Sequence, residues 1–144
     1  MNVVDSSGWL EYFADGPNAA FFAKAIERSS DLVVPTVSVY EVFKRVLQQR
    51  GEGDALQAVA VMQQGRVAEF SAALALAAAR LSVDLGIPMA DSIMLATARA
   101  WDATLWTQDS DFDGVPGVKY VARQNGRNVS YRPDAAGGVP TIVR

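Results

Sequence analysis

Residues 2–13 read NVVDSSGWLEYF, a short apolar run that ends in an acid and leads directly into a helical pattern. The start of this run predicts a very short strand, and Ser6 and Ser7 then offer N-caps for the helix that follows. Short apolar strands that alternate with helices are typical of a parallel sheet covered by helices on both faces. The stretch therefore predicts an α/β fold with Asp5 at the carboxyl end of the first strand.

The rest of the chain repeats this alternation. Apolar runs predict further strands at 32–34, 67–70, 103–107 and 118–121. Helical periodicity predicts a second helix that ends near residue 28, and further helices at 38–49, 54–64, 71–85 and 90–101. In such sheets the functional site lies outside the carboxyl ends of the strands. We therefore expect the site residues directly after strands and in the first turns of helices.

Length and composition limit the class of protein. The chain has 144 residues, of which 50% are hydrophobic, and this suffices for one compact domain with a substantial core. We assign this domain to residues 1–123; turn-forming residues without apolar periodicity predict a tail at 124–144, either flexible or vector-derived. No run approaches the roughly 18 to 20 apolar residues of a membrane span, so we expect a cytosolic protein. Because the net charge is −3, nucleic acid would need a local basic patch or a bound metal.

Four acidic residues, Asp5, Glu41, Asp91 and Asp109, each follow a short apolar run or open a helix. The chain has no His and no Cys, which excludes a Ser-His-Asp triad, a thiol nucleophile and a Cys/His zinc site. Crowded carboxylates oppose one another's ionisation, and a hard divalent cation with oxygen ligands relieves that repulsion. The pattern predicts a site for Mg²⁺ or Mn²⁺.

Each acid also has a purely structural explanation. The alternatives are an N-cap for Asp5, a capping box between Ser38 and Glu41, a favourable helix dipole for Asp91, and an Asx turn for Asp109 or Asp111. The placement of all four acids at the same end of one sheet favours a functional role. It would leave a negatively charged crevice, because no Arg or Lys stands directly beside Asp5, Asp91 or Asp109 in the sequence.

Neighbouring residues carry two readings each. Lys44 and Arg45 either pair with Glu41 along one helix face or form a basic lip, with Arg50 further along, that receives the backbone phosphates of a nucleic acid. Thr107 either orients a ligand by its hydroxyl or completes its strand, and Ser6 is a further candidate for substrate contact. The aromatic residues of the first helix, Trp9, Tyr12 and Phe13, are predicted to lie in the core or in a dimer interface, and Met89 and Met94 are predicted to be core.

Four segments carry a family resemblance. Residues 3–7 (VVDSS), 38–42 (SVYEV), 89–98 (MADSIMLATA) and 105–112 (LWTQDSDF) together resemble the PIN-domain ribonucleases, and within them the VapC toxins of toxin–antitoxin pairs. The likeness covers about residues 1–123, and the four segments occur in the expected order.

The resemblance implies a three-layer α/β/α sandwich with a central, mainly parallel sheet of four to five short strands. It also implies a metal-dependent endonuclease for single-stranded RNA, a homodimer, and a cognate antitoxin that blocks the acidic groove. Asp5, Glu41, Asp91 and Asp109 match the acidic quartet of the family, with Asp111 as a substitute or helper for the fourth position. Water would be the nucleophile and would leave a 5′-phosphate, since no His is present to activate the ribose 2′-hydroxyl.

Two other functions remain open from the sequence. A structure-selective DNA or flap nuclease can have a similar acidic centre, but its usual helical arch and long basic segments are absent at this length. A PIN-like module without activity would work by protein contact. That second reading predicts an incomplete acidic quartet, whereas all four acids are present.

Overall fold

The computed structural model describes residues 1–124, and these residues contain a sheet of five strands that are all parallel. The strands are β1 (Asn2–Val4), β2 (Leu32–Pro35), β3 (Arg66–Ala68), β4 (Thr104–Thr107) and β5 (Val118–Tyr120). The prediction of four to five short, mainly parallel strands is confirmed. The predicted tail lies, from residue 125 onward, outside the described residues.

Six α-helices connect the strands in this part of the chain. They are α1 (Ser6–Phe13), α2 (Ala19–Ile26), α3 (Thr36–Arg50), α4 (Glu52–Met62), α5 (Ala72–Leu85) and α6 (Met89–Ala100). The side chain of Ser71 caps α5 by accepting a hydrogen bond from Leu74 N, and Gly86 ends the helix with a left-handed φ of 66°. All predicted helices are present, with ends that differ by a few residues.

The sheet separates two apolar cores. Val4 points into a core shared with α1 to α4, where Trp9, Phe22 and Val42 are fully buried. Val3 points to the opposite face, where it packs with residues of α6, and α5 lies outside that helix. Alternation of side chains along β1 thus supplies both cores. The three-layer α/β/α sandwich is confirmed.

The strand order is β3-β2-β1-β4-β5, which places the first strand at the centre. From β1 the chain builds outward through β2 and β3, and it then returns to the other side of β1 to form β4 and β5. The order therefore reverses between β1 and β4, the point at which open α/β sheets form their ligand-binding crevice. Asp5 and Asp109 follow these two strands.

The predicted capping box at the start of α3 is wrong. The helix begins at Thr36, directly after Pro35, so Ser38 lies inside the first turn and does not cap it. Ser38 is fully buried, and its hydroxyl donates a hydrogen bond to Met94 Sδ at 3.0 Å. Glu41 therefore does not take part in capping α3.

Met94 is buried as predicted. Met89 is 74% exposed because it is the first residue of α6, so its assignment to the core is wrong.

No single helix in residues 1–124 is long and apolar enough to cross a membrane, although α5 and α6 together, bent by 117°, reach that length and composition.

Candidate functional site

Asp5 and Thr107 lie beside each other at the carboxyl ends of β1 and β4. The amide of Asp5 donates to Trp106 O at 3.0 Å, which continues the pairing of the two strands by one residue. Thr107 Oγ1 donates to Asp5 Oδ2 at 2.8 Å and accepts a hydrogen bond from Asp109 N at 3.0 Å. One fully buried hydroxyl thus connects two of the predicted acids. Of the two readings of Thr107, the geometry favours orientation of an acidic side chain.

Helix α6 brings a third acid to the same edge of the sheet. Its N-cap is Pro88, so Asp91 occupies the first turn. Carboxylate oxygens of Asp5, Asp91 and Asp109 all lie within 4.8 Å of one another. The structure therefore brings together three residues that are far apart in the sequence.

Asp109 also makes the Asx turn considered from the sequence. Its Oδ1 accepts a hydrogen bond from Asp111 N at 3.0 Å and caps a short 3₁₀ helix, Ser110–Phe112. The turn leaves Asp109 in the group of three, so its structural and functional readings are compatible. Asp111 is exposed and lies outside that group. The geometry favours Asp109 over Asp111 as the acid that follows β4.

Glu41 lies on the wall of the same cavity but outside the group of three. Ser6 Oγ donates a hydrogen bond of 2.7 Å to Glu41 Oε1, which fixes the second turn of α3 against the first turn of α1. Ser6 therefore positions an acid, and this contact was not anticipated from the sequence.

The cavity over these acids has a volume of about 360 Å³ and contains basic groups as well as acids. Arg45 and Arg123 line it, together with Gln49. Sequence analysis missed Arg123 and Gln49. A signal for Arg123 was present, because β5 ends at Tyr120 and a basic residue just beyond a strand of this sheet lies at the functional edge.

The side chains of Lys44 and Arg45 make other contacts than the predicted ion pair with Glu41. Among residues 1–124, no ion pair joins either cation to Glu41. Arg45 reaches the acidic cavity, whereas Lys44 Nζ lies 5.7 Å from the centre of the Tyr40 ring. Their first reading, an ion pair within the helix, is not observed.

A buried polar network supports the loop beyond β4. Gln108, which is 2% exposed, donates from Nε2 to Ser7 O at 3.3 Å and accepts at Oε1 from Asn18 Nδ2 at 3.0 Å. Asn18 Nδ2 also donates to Ala122 O at 3.0 Å. This network ties the start of α1 to the segments that carry Asp109 and Arg123.

Burial and neighbouring negative charges oppose ionisation of Asp5 and Asp91. Burial raises the pKa of Asp5 above its ordinary value, although hydrogen bonds from Thr107 and Ser7 oppose that shift. Burial, together with the charges of Asp5, Asp109 and Asp111, raises the pKa of Asp91 to about 7. In the metal-free protein Asp91 is therefore protonated in a large fraction of molecules at neutral pH, whereas an ordinary aspartate would be fully ionised.

The donor set fits a hard divalent cation. All three groups that converge are carboxylates, with oxygen as the only ligand atom. Oxygen ligands suit Mg²⁺ and Mn²⁺, and a bound cation would compensate both the burial and the mutual repulsion of these carboxylates. The residues can thus hold the kind of metal that the sequence predicted.

Solved structures with the same fold come from several bacteria. A toxin–antitoxin complex from Klebsiella pneumoniae aligns with a TM-score of 0.72 at 19% identity, over 83% of this chain and 96% of that chain. VapC20 of Mycobacterium tuberculosis, a sarcin-ricin loop cleaving toxin, aligns with a TM-score of 0.67 at 17% identity, over 81% and 95%. DNA-bound VapBC of Salmonella typhimurium aligns with a TM-score of 0.66 at 11% identity, over 85% and 98%. At these identities the similarity shows the fold.

No curated protein sequence matches the chain significantly. The family model for the PIN domain matches residues 3–118, which is well over half of the sequence and includes all four predicted acids. The α/β/α sandwich and the acids at the carboxyl edge of its sheet agree with that match. The chain therefore belongs to the PIN-domain family.

Proposed function

We propose that this protein is a metal-dependent endonuclease of single-stranded RNA and the toxin of a toxin–antitoxin pair, acting in the cytosol. The nuclease domain in this proposal comprises residues 1–123, and Mg²⁺ or Mn²⁺ is its cofactor. The observation that carries the proposal is the convergence of Asp5, Asp91 and Asp109 within 4.8 Å, in a cavity also lined by two arginines.

Roles for the individual residues follow from their contacts. Asp5, Asp91 and Asp109 would hold the cation, and Glu41 would assist from the cavity wall. A bound divalent cation lowers the pKa of a coordinated water and offsets negative charge on the phosphate. Thr107 keeps Asp5 in one orientation, and Ser6 does the same for Glu41. Arg45 and Arg123 attract the RNA phosphate to a site that is otherwise acidic.

The solved structures with the same fold support the proposed partners. The Klebsiella structure is a toxin–antitoxin complex, the Salmonella structure is VapBC bound to DNA, and the mycobacterial relative is a toxin that cleaves the sarcin-ricin loop. We therefore propose that a cognate antitoxin binds this protein and covers the acidic cavity, and that the protein forms a homodimer. Apolar side chains on α5 support a protein contact at that helix, since Leu76 is 62% exposed and Val83 is 83% exposed.

The decisive experiment incubates the purified protein with single-stranded RNA and Mg²⁺ and identifies the new ends by mass spectrometry. We expect 5′-phosphate and 3′-hydroxyl ends, inhibition by chelation, and no cleavage by the Asp91→Asn variant. Cleavage that continues in the chelator, or that the variant retains, would overturn the proposed metal site. Single-stranded and flap DNA of matching sequence test the DNA nuclease alternative in the same assay.

A PIN-like module without activity is the other alternative. It predicts no cleavage of any nucleic acid, together with Asp5 and Asp91 variants that behave like the wild type in cells. Toxicity of the wild type that both variants lose would exclude this module.

A further inference from the structure

A groove beside the acidic cavity is lined by one face of α3. This groove, called the α3 groove below, has a volume of about 390 Å³. It shares Ser6, Leu10, Glu41 and Arg45 with the acidic cavity, so the two spaces are continuous. Tyr40, Lys44 and Gln48 line only the α3 groove. A polymer whose phosphate lies at the acids can therefore extend along these residues.

Tyr40 is unusually exposed for an aromatic side chain of this protein. Its exposed fraction is 63%, whereas Trp9, Phe13, Phe22 and Phe112 are all at most 2% exposed. The Tyr40 hydroxyl makes no side-chain hydrogen bond among the described residues, and Lys44 Nζ lies 5.7 Å from the ring centre, so most of the ring is open to solvent and does not pack in the core. An exposed aromatic ring next to a phosphate-binding site is the usual platform for stacking an unpaired base.

The other residues of the α3 groove suit the rest of a nucleotide. Lys44 lies beside the Tyr40 ring, with Nζ 5.7 Å from the ring centre, and Arg45 lines both the α3 groove and the acidic cavity. A backbone phosphate that extends from the acids into the α3 groove would therefore meet two cations. Gln48 lies one helical turn beyond Lys44 and carries an amide that both donates and accepts hydrogen bonds. The groove thus combines a ring, two cations and an amide on one side of the acids.

We propose that the α3 groove binds the nucleotide adjacent to the scissile phosphate, with its base stacked on Tyr40 and its outer phosphate held by Lys44 and Arg45. This inference rests on the proposed ribonuclease function and deepens it. A base within a duplex is stacked on its neighbours and cannot lie on Tyr40. The groove therefore selects RNA that is unpaired at that nucleotide, and Gln48 contributes the preference for particular bases.

The test combines variants of Tyr40 with RNA that lacks one base. Tyr40→Leu removes the aromatic ring but keeps an apolar side chain, and Tyr40→Trp retains a stacking surface. Because the ring is mostly exposed, neither change should alter the melting temperature. We expect Tyr40→Leu to lower kcat/KM for single-stranded RNA about 5- to 150-fold, as for loss of one base–aromatic stack, and Tyr40→Trp to retain it. Phe70→Leu is the matched control, since Phe70 is 48% exposed and lies outside both cavities.

RNA with an abasic site at each position around the cleaved bond identifies the base involved. At one position the wild type should lose the same factor as Tyr40→Leu, and the variant should lose nothing further. A binding assay in the Asp91→Asn background, with 2-aminopurine at that position, should show fluorescence quenching that Tyr40→Leu abolishes and Phe70→Leu preserves.

Two failures are distinguishable. If the wild type cleaves single-stranded RNA and Tyr40→Leu cleaves it equally well, the inference is wrong and the proposed function stands. The inference is also wrong if Tyr40→Leu loses the same factor on intact and on abasic RNA at every position. A wild type that neither binds nor cleaves RNA would overturn both the inference and the function.

Discussion

Thr107 Oγ1 donates a hydrogen bond of 2.8 Å to Asp5 Oδ2 and at the same time accepts one from the amide of Asp109. Thr107 is fully buried, so this hydroxyl cannot exchange its partners for water. It holds the carboxylate that ends β1 at a fixed distance from the loop that follows β4. In the proposed site Asp5 is a metal ligand, and loss of a partner that orients such a ligand without touching the metal strongly lowers metal affinity.

We therefore expect Thr107→Val to weaken Mn²⁺ binding about 10- to 100-fold, by analogy with losses of such partners in other metal sites. Thr107→Ser keeps the hydroxyl and should bind almost as the wild type does. The measurement is a calorimetric titration with Mn²⁺. Thr97→Val is the matched control, because Thr97 is equally buried but donates to Ile93 O within α6. Wild-type affinity in Thr107→Val would assign Thr107 a structural role alone.

Asp91→Asn should stabilise the metal-free protein in a pH-dependent way. The pKa of Asp91 rises from 3.8 to about 7 in the folded state, so between these values the folded protein holds a proton that the unfolded chain releases. The free energy of unfolding of the wild type consequently falls as pH rises through that window. We expect the variant to melt at a higher temperature than the wild type at pH 8, with the difference vanishing toward pH 4.

Thermal melts in a chelator over this pH range test the prediction for Asp91. Asp84→Asn, a change at an exposed surface acid outside the cavity, should produce no such pH-dependent difference. A melting temperature that falls in Asp91→Asn at pH 8 would mean that the carboxylate serves mainly to complement the dipole of α6. With Mg²⁺ present, the same variant should lose cleavage and toxicity.

Glu41→Gln separates charge from hydrogen bonding. Gln retains an oxygen that accepts from Ser6 Oγ, so the contact between α1 and α3 survives while the negative charge is lost. We expect nearly unchanged stability and cleavage reduced by at least about 100-fold, consistent with loss of a charged group at a metal site. Single-turnover kinetics beside a thermal melt provide the two readouts. A variant that cleaves at the wild-type rate would remove Glu41 from the site.

The double change Lys44→Gln and Arg45→Gln tests the basic lip. If both cations contact RNA phosphates, RNA binding should weaken and its dependence on log salt concentration should flatten by about one unit for each lost contact. Mn²⁺ affinity should change little, because neither cation pairs with Glu41 in the structure. RNA affinity is measured at several salt concentrations, with Lys24→Gln as a control on the exposed face of α2. An unchanged slope would exclude phosphate contacts at Lys44 and Arg45.

Sequence patterns predicted the sheet and the edge at which the acids meet, because both follow from local rules. Apolar runs such as residues 32–34 are buried on both faces and mark strands, and parallel strands place their carboxyl ends together. The convergence of Asp5 with Asp109 could thus be anticipated. How far Glu41 and Asp111 lie from that group depends on packing between helices and loops, which no local pattern encodes.

Ser38 shows where local rules failed. Its spacing from Glu41 satisfies the capping-box pattern, but Pro35 already fixes the entry to α3, and the helix starts before Ser38. Both side chains then find partners far away in the sequence: Met94 for Ser38 and Ser6 for Glu41. Tertiary contacts of Ser38 and Glu41 thus replace the predicted capping box, and one of them positions Glu41 on the wall of the acidic cavity.

The central position of β1 has a consequence for synthesis of the protein. The ribosome makes Asp5 before it makes β4, the neighbouring strand that completes the surroundings of Asp5, because β4 follows the whole of α6 in the chain. Asp91 and Asp109 are likewise late products. A nascent or prematurely terminated chain that stops before Thr107 lacks both the hydroxyl that holds Asp5 and the carboxylate of Asp109. The order of strands thereby delays assembly of the acidic centre until β4 and the loop that follows it have been translated.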